Sequence, residues 1–148
     1  MQNSFDDKAD GAEASDGAAV DFGLVLVVGS SPINRIVVSR ISEKAGLRTI
    51  CATPDEAQAA FDKTLPVLVI LDGGVDNREC APLLERLAGL RRSVAGERVP
   101  MVIFLSNRTT AGQQGRHAVI DRVVTKPVMP DRLQPVIQEM IDRLRRPD

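Results

Sequence analysis

The sequence predicts an α/β fold: a doubly wound, five-stranded parallel sheet with helices packed on both faces. Three continuous apolar runs rich in branched residues, at 24–28, 67–71 and 101–105, are typical of parallel strands that are buried on both faces. Amphipathic segments with helical spacing follow these runs, and right-handed crossovers would join the strands. At 148 residues, of which 43% are hydrophobic, the chain has the length and composition of one globular domain.

The N-terminal segment differs in composition from the rest of the chain. Residues 1–21 contain six acidic side chains and one basic one, and Gly and Ala fill most of the gaps between them. Such a segment has almost nothing to bury, so we predict a disordered acidic tail over 1–21 and a single domain over 22–148. The domain without the tail carries 14 acidic and 18 basic residues, a formal charge of about +4.

The first two helices have recognisable N-termini. Ser31 is placed to cap the first helix, which would end at Gly46. A weaker strand at 48–52 follows, and then Thr53 and Glu56 form the capping-box pattern of the second helix. The predicted apolar stripe of the first helix consists of Ile33, Ile36, Val37 and Ile41.

The later helices differ in the strength of their signals. Four leucines between 83 and 90 indicate the third helix, whereas the stretch 109–117 contains two glycines and predicts a short or mobile fourth helix. A weak strand fits at 120–125. The clearest helical stripe of the chain covers 133–144, although Pro135 predicts that the regular part of this fifth helix begins late.

Composition argues against several classes of function. The chain has no Trp or Tyr, and its positive charge is modest and scattered, so we predict no DNA binding. Cys51, Cys80 and His117 have no zinc-site spacing, so we predict no zinc and read both cysteines as reduced thiols. No apolar run approaches the roughly 20 residues of a membrane span, and no signal-peptide pattern is visible, so we expect a cytoplasmic protein without a membrane contact.

Polar residues follow the predicted strands at the edge where the strands end. Asp72 follows the strand at 67–71, Ser106 follows the strand at 101–105, and Lys126 follows the last strand. In doubly wound sheets this edge is the usual ligand-binding edge, so one acid, one hydroxyl and one amine would converge there. The first turn, GSSPINR at 29–35, matches neither a dinucleotide-binding nor a P-loop motif, and we do not expect an enzyme.

Four segments at these strand ends carry a resemblance to a known family. They are VVGSSPINR (27–35), LVILD (68–72), FLSN (104–107) and VVTKP (123–127). In their order and spacing the chain from Leu24 to Leu144 resembles the CheY-like receiver domain of bacterial two-component response regulators. The resemblance implies a flavodoxin-like strand order of 2-1-3-4-5 and a cis bond between Lys126 and Pro127.

The resemblance also implies roles for the residues at this edge. Asp72 stands at the position of the phospho-acceptor, Ser106 at that of the switch hydroxyl, and Lys126 at that of the conserved amine of the family. Partners would be signalling proteins, namely a histidine kinase, a phosphotransfer protein or a downstream target. The family commonly contacts them through the fourth helix, the fifth strand and the fifth helix.

The sequence departs from the family at several of these positions. The two metal-binding acids after the first strand are replaced by Gly29 and Ser30, and the aromatic residue three positions before the lysine is Val123. After the acceptor, Asp76 and Cys80 stand where Pro and Gly are usual.

The loss of the acids removes the charge that a metal needs. The family's usual site gathers three carboxylates and one lysine around Mg²⁺, whereas Asp72 and Lys126 sum to about zero. The Ser30 hydroxyl and the Gly74 carbonyl are neutral ligands, so we predict that no metal is required and that any Mg²⁺ binding is weak. Asp76, four residues after Asp72 in a loop with two glycines, could serve as a substitute ligand.

Two functional interpretations remain open from the sequence. The first is an atypical receiver, or pseudo-receiver, which signals through protein contacts with little or no phosphorylation of Asp72. The alternative is a working, Mg²⁺-dependent receiver that a histidine kinase or phosphotransfer protein phosphorylates on Asp72.

Overall fold

The computed structural model describes residues 19–96, 98–107 and 117–145, and these residues form five strands and four helices. The predicted fourth helix at 109–117 falls almost wholly outside the described residues. The strands are β1 (Val20–Val28), β2 (Arg48–Ala52), β3 (Leu65–Asp72), β4 (Met101–Ser106) and β5 (Arg122–Thr125). The helices are α1 (Pro32–Lys44), α2 (Pro54–Lys63), α3 (Ala81–Arg92) and α4 (Pro130–Arg145), the last being the helix predicted as the fifth.

The five strands form one parallel sheet in the order β2-β1-β3-β4-β5, which confirms the predicted fold. All eight residues of β3 and all six of β4 are buried, as expected for central strands covered on both faces. The register places Val28 beside Leu71 and Asp72 beside Leu105, so the carboxyl ends of β1, β3 and β4 lie at one level.

A separate core covers each face of the sheet. One core contains Val38 and Ile41 of α1 together with Leu133 and Ile137 of α4, and therefore lies between the sheet and those two helices. The other core lies under α2 and α3 and contains Phe61, Leu83, Leu84 and Leu87. The helices thus cover both faces in pairs, as the doubly wound topology requires.

The first strand begins two residues before the predicted start of the domain. Strand β1 begins at Val20, and Asp21 is paired with Pro66 of β3 in the sheet register. The Asp21 carboxylate also accepts hydrogen bonds from Arg48 at 2.6 and 2.7 Å. Asp21 therefore belongs to the domain, so the predicted start at residue 22 is too late.

Helix α1 presents a different face to the sheet than its isoleucines predict. Ile33, Ile36 and Val37 are 72%, 53% and 36% exposed, whereas Val38, Ile41 and Ser42 are buried. The buried residues at positions 38 and 41 share a helical face with Asn34, at a spacing of three to four residues. This orientation turns the Asn34 side chain toward the end of β3.

The prediction that the last helix starts late at Pro135 is wrong. Helix α4 begins at Pro130, and the amides of Arg132 and Leu133 both donate to the Met129 carbonyl. Pro135 removes one hydrogen bond, the one to the Asp131 carbonyl, and both residues are exposed, so water can replace it. The buried side chain of Leu133 holds the first turn against the sheet.

The predicted helix caps are confirmed. The Ser31 hydroxyl accepts a hydrogen bond from the Asn34 amide at 3.2 Å, and both bonds of the Thr53–Glu56 capping box are present. Gly46, with φ of +92°, follows α1 where the sequence predicts its end. The peptide bond between Lys126 and Pro127 is cis, as the resemblance implies.

Candidate functional site

The candidate site lies at the carboxyl edge of the sheet, where three strands bring their end residues together. Gly29 follows β1, Asp72 ends β3, and Lys126 follows β5. A Cβ atom added to Gly29 would lie 2.9 Å from the Cβ of Asp72, so the first turn passes directly against the Asp72 side chain. The strands therefore place the acid and the amine as the sequence predicts, with the backbone of Gly29 beside them.

Both carboxylate oxygens of Asp72 are engaged by protein donors. The Lys126 ammonium and the Gly74 amide donate to Oδ1 at 2.7 and 2.9 Å. The side-chain amide of Asn34 donates to Oδ2 at 2.9 Å. The Lys126 ammonium also donates to the Gly74 carbonyl at 3.0 Å, so one amine joins the acid to the loop that follows it.

The electrostatic balance keeps Asp72 ionised. Burial raises the pKa of this carboxyl, but hydrogen bonds from Lys126, Gly74 and Asn34, together with the charge of Lys126, outweigh burial and hold the pKa below its usual value. Asp72 is 5% exposed, so its charge depends on these partners and not on water.

A cavity of about 310 Å³ opens beside Asp72. Its second carboxylate belongs to Glu79 and not to Asp76, the acid that the sequence suggested as a substitute ligand. Asp76 is exposed, and its carboxylate accepts a hydrogen bond from the Arg78 amide at 3.1 Å. This bond is local to the turn, and Asp76 is not among the described residues that line the cavity. The described residues that line this cavity are Ser30, Ser31, Asn34, Asp72, Gly74, Val75, Glu79, Asn107 and Lys126.

The loop between β3 and α3 has two residues with positive φ, Gly74 and Asn77. Gly74 has φ of +79°, and a Cβ atom there would lie 2.4 Å from Cδ of Glu79. Asn77 has φ of +64°, a left-handed conformation that asparagine adopts more readily than most residues. This path places the Glu79 side chain over Gly74 and turns Asn77 into the protein interior.

Ser106 ends β4 as predicted, but it is not among the described residues that line the cavity. Its side chain is fully buried, receives a hydrogen bond from Asn77 at 3.2 Å and donates to the Asn107 carbonyl at 3.1 Å. The Asn107 amide donates in turn to Asn77 at 2.6 Å. Asn77 therefore links the β3–α3 loop to the end of β4 by hydrogen bonds, one of which is to the Ser106 hydroxyl.

Two other predicted site residues also lie away from the cavity beside Asp72. Val123 is on β5 opposite Phe104 and is 41% exposed, because its side chain points to the open surface of this edge strand. Pro127 lines a neighbouring depression with Met129, Asp131 and Arg132, since the chain turns away from Asp72 after Lys126.

Cys80, at the end of the β3–α3 loop, does not add a reactive group. Its thiol is buried and donates to the Asp72 carbonyl at 3.3 Å. Burial, together with the charges of Asp72 and Glu79, raises the pKa of the thiol to about 12. The thiol therefore stays protonated and acts as a packing group behind Asp72.

Asn77 and Glu79 are the site residues that sequence reasoning missed, and it gave no role to Asn34 and Asn107, which lie in the quoted segments 27–35 and 104–107. Asn34 lies in the segment 27–35, but its contact with Asp72 depends on which face α1 turns toward the sheet. The apolar stripe that includes Ile33 and Ile36 predicted a different face. The repeated polar residues after Gly74 signal a turn, although they do not reveal which acid faces the cavity.

Other features of the described residues bear on function. Within residues 19–96, 98–107 and 117–145, no group of three or more His, Cys, Asp or Glu side chains is placed to hold a metal ion. His117 contacts Glu85 at 3.1 Å. Across the same ranges, no helix combines the length and the apolar character that a bilayer crossing requires.

Comparison with known proteins gives matches by structure but not by sequence. No protein-family model and no curated protein matches the chain. A CheY-like response regulator receiver domain from Methanospirillum hungatei is 22% identical, with a TM-score of 0.66, and the match covers 82% of this chain and 95% of that one. The receiver domain of a signal transduction histidine kinase from Syntrophus aciditrophicus is 23% identical, with a TM-score of 0.67 and coverage of 85% and 95%.

The receiver domain of NtrX from Brucella abortus is 25% identical, with a TM-score of 0.64, over 80% of this chain and 98% of that domain. Against a longer NtrX chain the match covers only 27% of that protein. The matched part of the chain therefore spans nearly all of a receiver domain but about a quarter of the longer NtrX protein. These matches confirm the receiver-like fold that the motifs suggest.

Proposed function

We propose that this chain, which has the fold of response regulator receiver domains, is an atypical receiver that acts in two-component signalling through protein contacts. In this proposal Asp72 is phosphorylated slowly or not at all, and the domain is not an enzyme. The observation that carries the proposal is the closed set of contacts around Asp72, in which Lys126, Gly74 and Asn34 engage both oxygens.

Phosphoryl transfer to a carboxylate needs a free oxygen and positive charge around the transferred group. Here one Asp72 oxygen accepts from the side-chain amide of Asn34. The other oxygen accepts from the Lys126 ammonium and the Gly74 backbone amide. An incoming phosphoryl group would compete with these donors for the charge of the carboxylate. Lys126, the cation that contacts Asp72, is already neutralised by this carboxylate.

The residues beside Asp72 do not fit a strong Mg²⁺ site. Mg²⁺ prefers a near-octahedral set of oxygens that usually includes carboxylates. The described lining offers the carboxylates of Asp72 and Glu79, but the Asp72 oxygens are engaged and the Gly74 carbonyl accepts from Lys126 at 3.0 Å. The positions of the family's two acids supply only the Gly29 backbone and the Ser30 hydroxyl, so we expect at most weak binding.

The proposed partner surface includes β5 and α4. Val123 on β5 and Met129 before α4 are 41% and 46% exposed, so the surface presents apolar side chains without any rearrangement. Val123 is β-branched and has no ring to reorient, and the Ser106 hydroxyl is held by Asn77 and Asn107. The proposed contact is accordingly constitutive and does not depend on a phosphoryl group at Asp72.

One observation favours the alternative of a working, Mg²⁺-dependent receiver phosphorylated on Asp72. Glu79 lines the same cavity as Asp72 and supplies a second carboxylate close to Gly74. A rotation of the Glu79 side chain could place that carboxylate opposite Asp72. The two proposals differ in whether Asp72 accepts a phosphoryl group at all.

Incubation of the full chain with acetyl phosphate and Mg²⁺, followed by intact-protein mass spectrometry, separates the two proposals. We expect the mass to remain that of the unmodified chain, under conditions that modify a receiver with the complete acidic pair. An adduct of one phosphoryl group that is absent from the Asp72→Asn variant would contradict the atypical-receiver proposal and support the alternative. The variant keeps the shape of the side chain and removes only the nucleophilic oxygen.

A further inference from the structure

A second cavity of about 310 Å³ lies at the opposite edge of the sheet from Asp72. It is bordered by the first residues of β4 and β5 and by the last two turns of α4. Its apolar floor consists of Met101, Met140 and Leu144. Four arginines and one acid complete the described lining, namely Arg91, Arg98, Arg122, Arg143 and Asp121.

The arginines of this cavity differ in how fully the protein uses them. Arg91 is held by Asp121 at 2.7 Å and by the carbonyls of Pro100 and Val119, so it has a structural role. Arg122 is paired with Glu139 at 2.7 Å.

The other two arginines keep much of their guanidinium toward solvent. Arg98 donates to the backbone carbonyl of Arg143 at 3.2 Å, and the Arg143 side chain is 66% exposed, with a long contact of 3.4 Å to Glu139. Both are therefore available to an anionic group. The cavity thus combines an apolar floor with a cationic rim.

The chain itself contains a segment of matching chemistry. Residues 1–18 carry five acidic side chains against the single Lys8, and they include Phe5 immediately before Asp6 and Asp7. An aromatic ring followed by two carboxylates matches an apolar floor with a cationic rim.

The position of this segment also favours contact with the cavity. The described chain begins beside Val20, which packs against the same core cluster as Met101, Met140 and Leu144. Strand β1 is separated from β4 only by β3, a distance of about 10 Å across the sheet. Twelve residues between Asp7 and Val20 can span up to about 40 Å, so Phe5 can reach the cavity with chain to spare.

We propose that the arginine-rimmed cavity binds the chain's own acidic N-terminal segment, with Phe5 on the methionine floor and Asp6 and Asp7 at Arg98 and Arg143. The contact needs no regular secondary structure in the segment, so it is compatible with a disordered tail. Because the cavity lies at the edge opposite Asp72, the contact does not depend on whether Asp72 is phosphorylated.

Paramagnetic relaxation in the full chain tests this proposal. A spin label at Ser4→Cys, in a Cys51→Ser background, should broaden the amides of Met101, Arg122 and Leu144 most strongly and leave those of Ser30 and Asn34 sharp. Cys80 is buried and will not take the label. Screening by 1 M salt, where the Debye length is about 3 Å, should weaken the effect severalfold.

Matched variants identify the contact. Arg98→Gln with Arg143→Gln should abolish most of the broadening, whereas Arg40→Gln with Arg132→Gln removes the same charge from exposed positions elsewhere and should preserve it. Phe5→Ala should also reduce it. Uniform weak broadening, broadening centred on Lys126, or broadening that survives Arg98→Gln with Arg143→Gln would overturn the proposal, as would broadening between labelled and unlabelled copies in a mixed sample.

Discussion

Replacing Lys126 with methionine should lower the free energy of unfolding by about 2–3 kcal/mol at pH 7, because Asp72 would remain charged and buried without its cation. The ion pair is 2.7 Å long, and the side chains of Lys126 and Asp72 are 19% and 6% exposed. Because Lys126 is partly exposed, we expect a smaller loss of stability than the roughly 3–5 kcal/mol that follows when a completely buried ion pair is broken. Denaturant unfolding of the full chain measures this difference.

The pH dependence of this loss identifies its cause. In the native protein the pKa of Asp72 lies below the unfolded value of about 3.9, so its contribution is present above that pH and is lost as the pH falls through the folded pKa. In Lys126→Met, Asp72 loses the partner that lowers its pKa most, whereas burial still raises it. We therefore expect the pKa of Asp72 to be higher in the variant than in the native protein. The difference between the two proteins should therefore shrink as the pH falls from 7 toward about 4.

Two controls separate charge from packing. Lys44→Met removes an exposed lysine from the end of α1 and should change stability by no more than about 0.5 kcal/mol. Lys126→Met combined with Asp72→Asn removes both charges and should recover most of the lost stability. An undiminished loss at about pH 4, or no recovery in the double variant, would show that Lys126 stabilises the fold by packing alone.

The second large effect is a gain of metal affinity when one acid is restored. Ser30→Asp should tighten Mg²⁺ binding by about tenfold or more, because a carboxylate would enter the cavity beside Asp72 from an exposed position. Restoring the other acid, by Gly29→Asp, should be tolerated poorly, since a Cβ atom there would lie 2.9 Å from the Cβ of Asp72. Calorimetric titration with Mg²⁺ measures the affinities.

Matched variants define what such a gain means. Ser93→Asp adds the same charge after the end of α3, at the opposite edge of the sheet, and should leave the Mg²⁺ affinity unchanged. Glu79→Gln in the Ser30→Asp background should reduce the gain only if Glu79 becomes a ligand. No gain in Ser30→Asp would show that the contacts of Asp72 with Lys126, Gly74 and Asn34 exclude the metal even when an acid is present.

The parts of the fold that sequence predicts well are those governed by local chemistry. Continuous branched apolar runs located β3 and β4, since central parallel strands are buried on both faces, and the caps at Ser31 and Thr53 located two helix starts. The meeting of Asp72 and Lys126 also follows from topology, because both residues come at the ends of parallel strands.

The remaining features depend on tertiary packing. Helix α1 has enough apolar residues for two faces, and only contact with the sheet selects the one that buries Val38 and directs Asn34 to Asp72. The choice of Glu79 over Asp76 depends on the left-handed conformations of Gly74 and Asn77, which a sequence pattern does not specify. Likewise, the Ser106 hydroxyl is occupied by Asn77, a residue 29 positions away.

The most direct test of the central claim, that the contacts of Asp72 replace a metal and phosphoryl site, is an amide-shift titration of the full chain. Mg²⁺ is added first to millimolar concentration, followed by beryllofluoride as a phosphoryl mimic. We expect the amides of Ser30, Asp72 and Gly74 to stay nearly unshifted through both additions. Saturating shifts at these amides, spreading through Ser106 to β5 and α4, would contradict the claim and identify a working receiver.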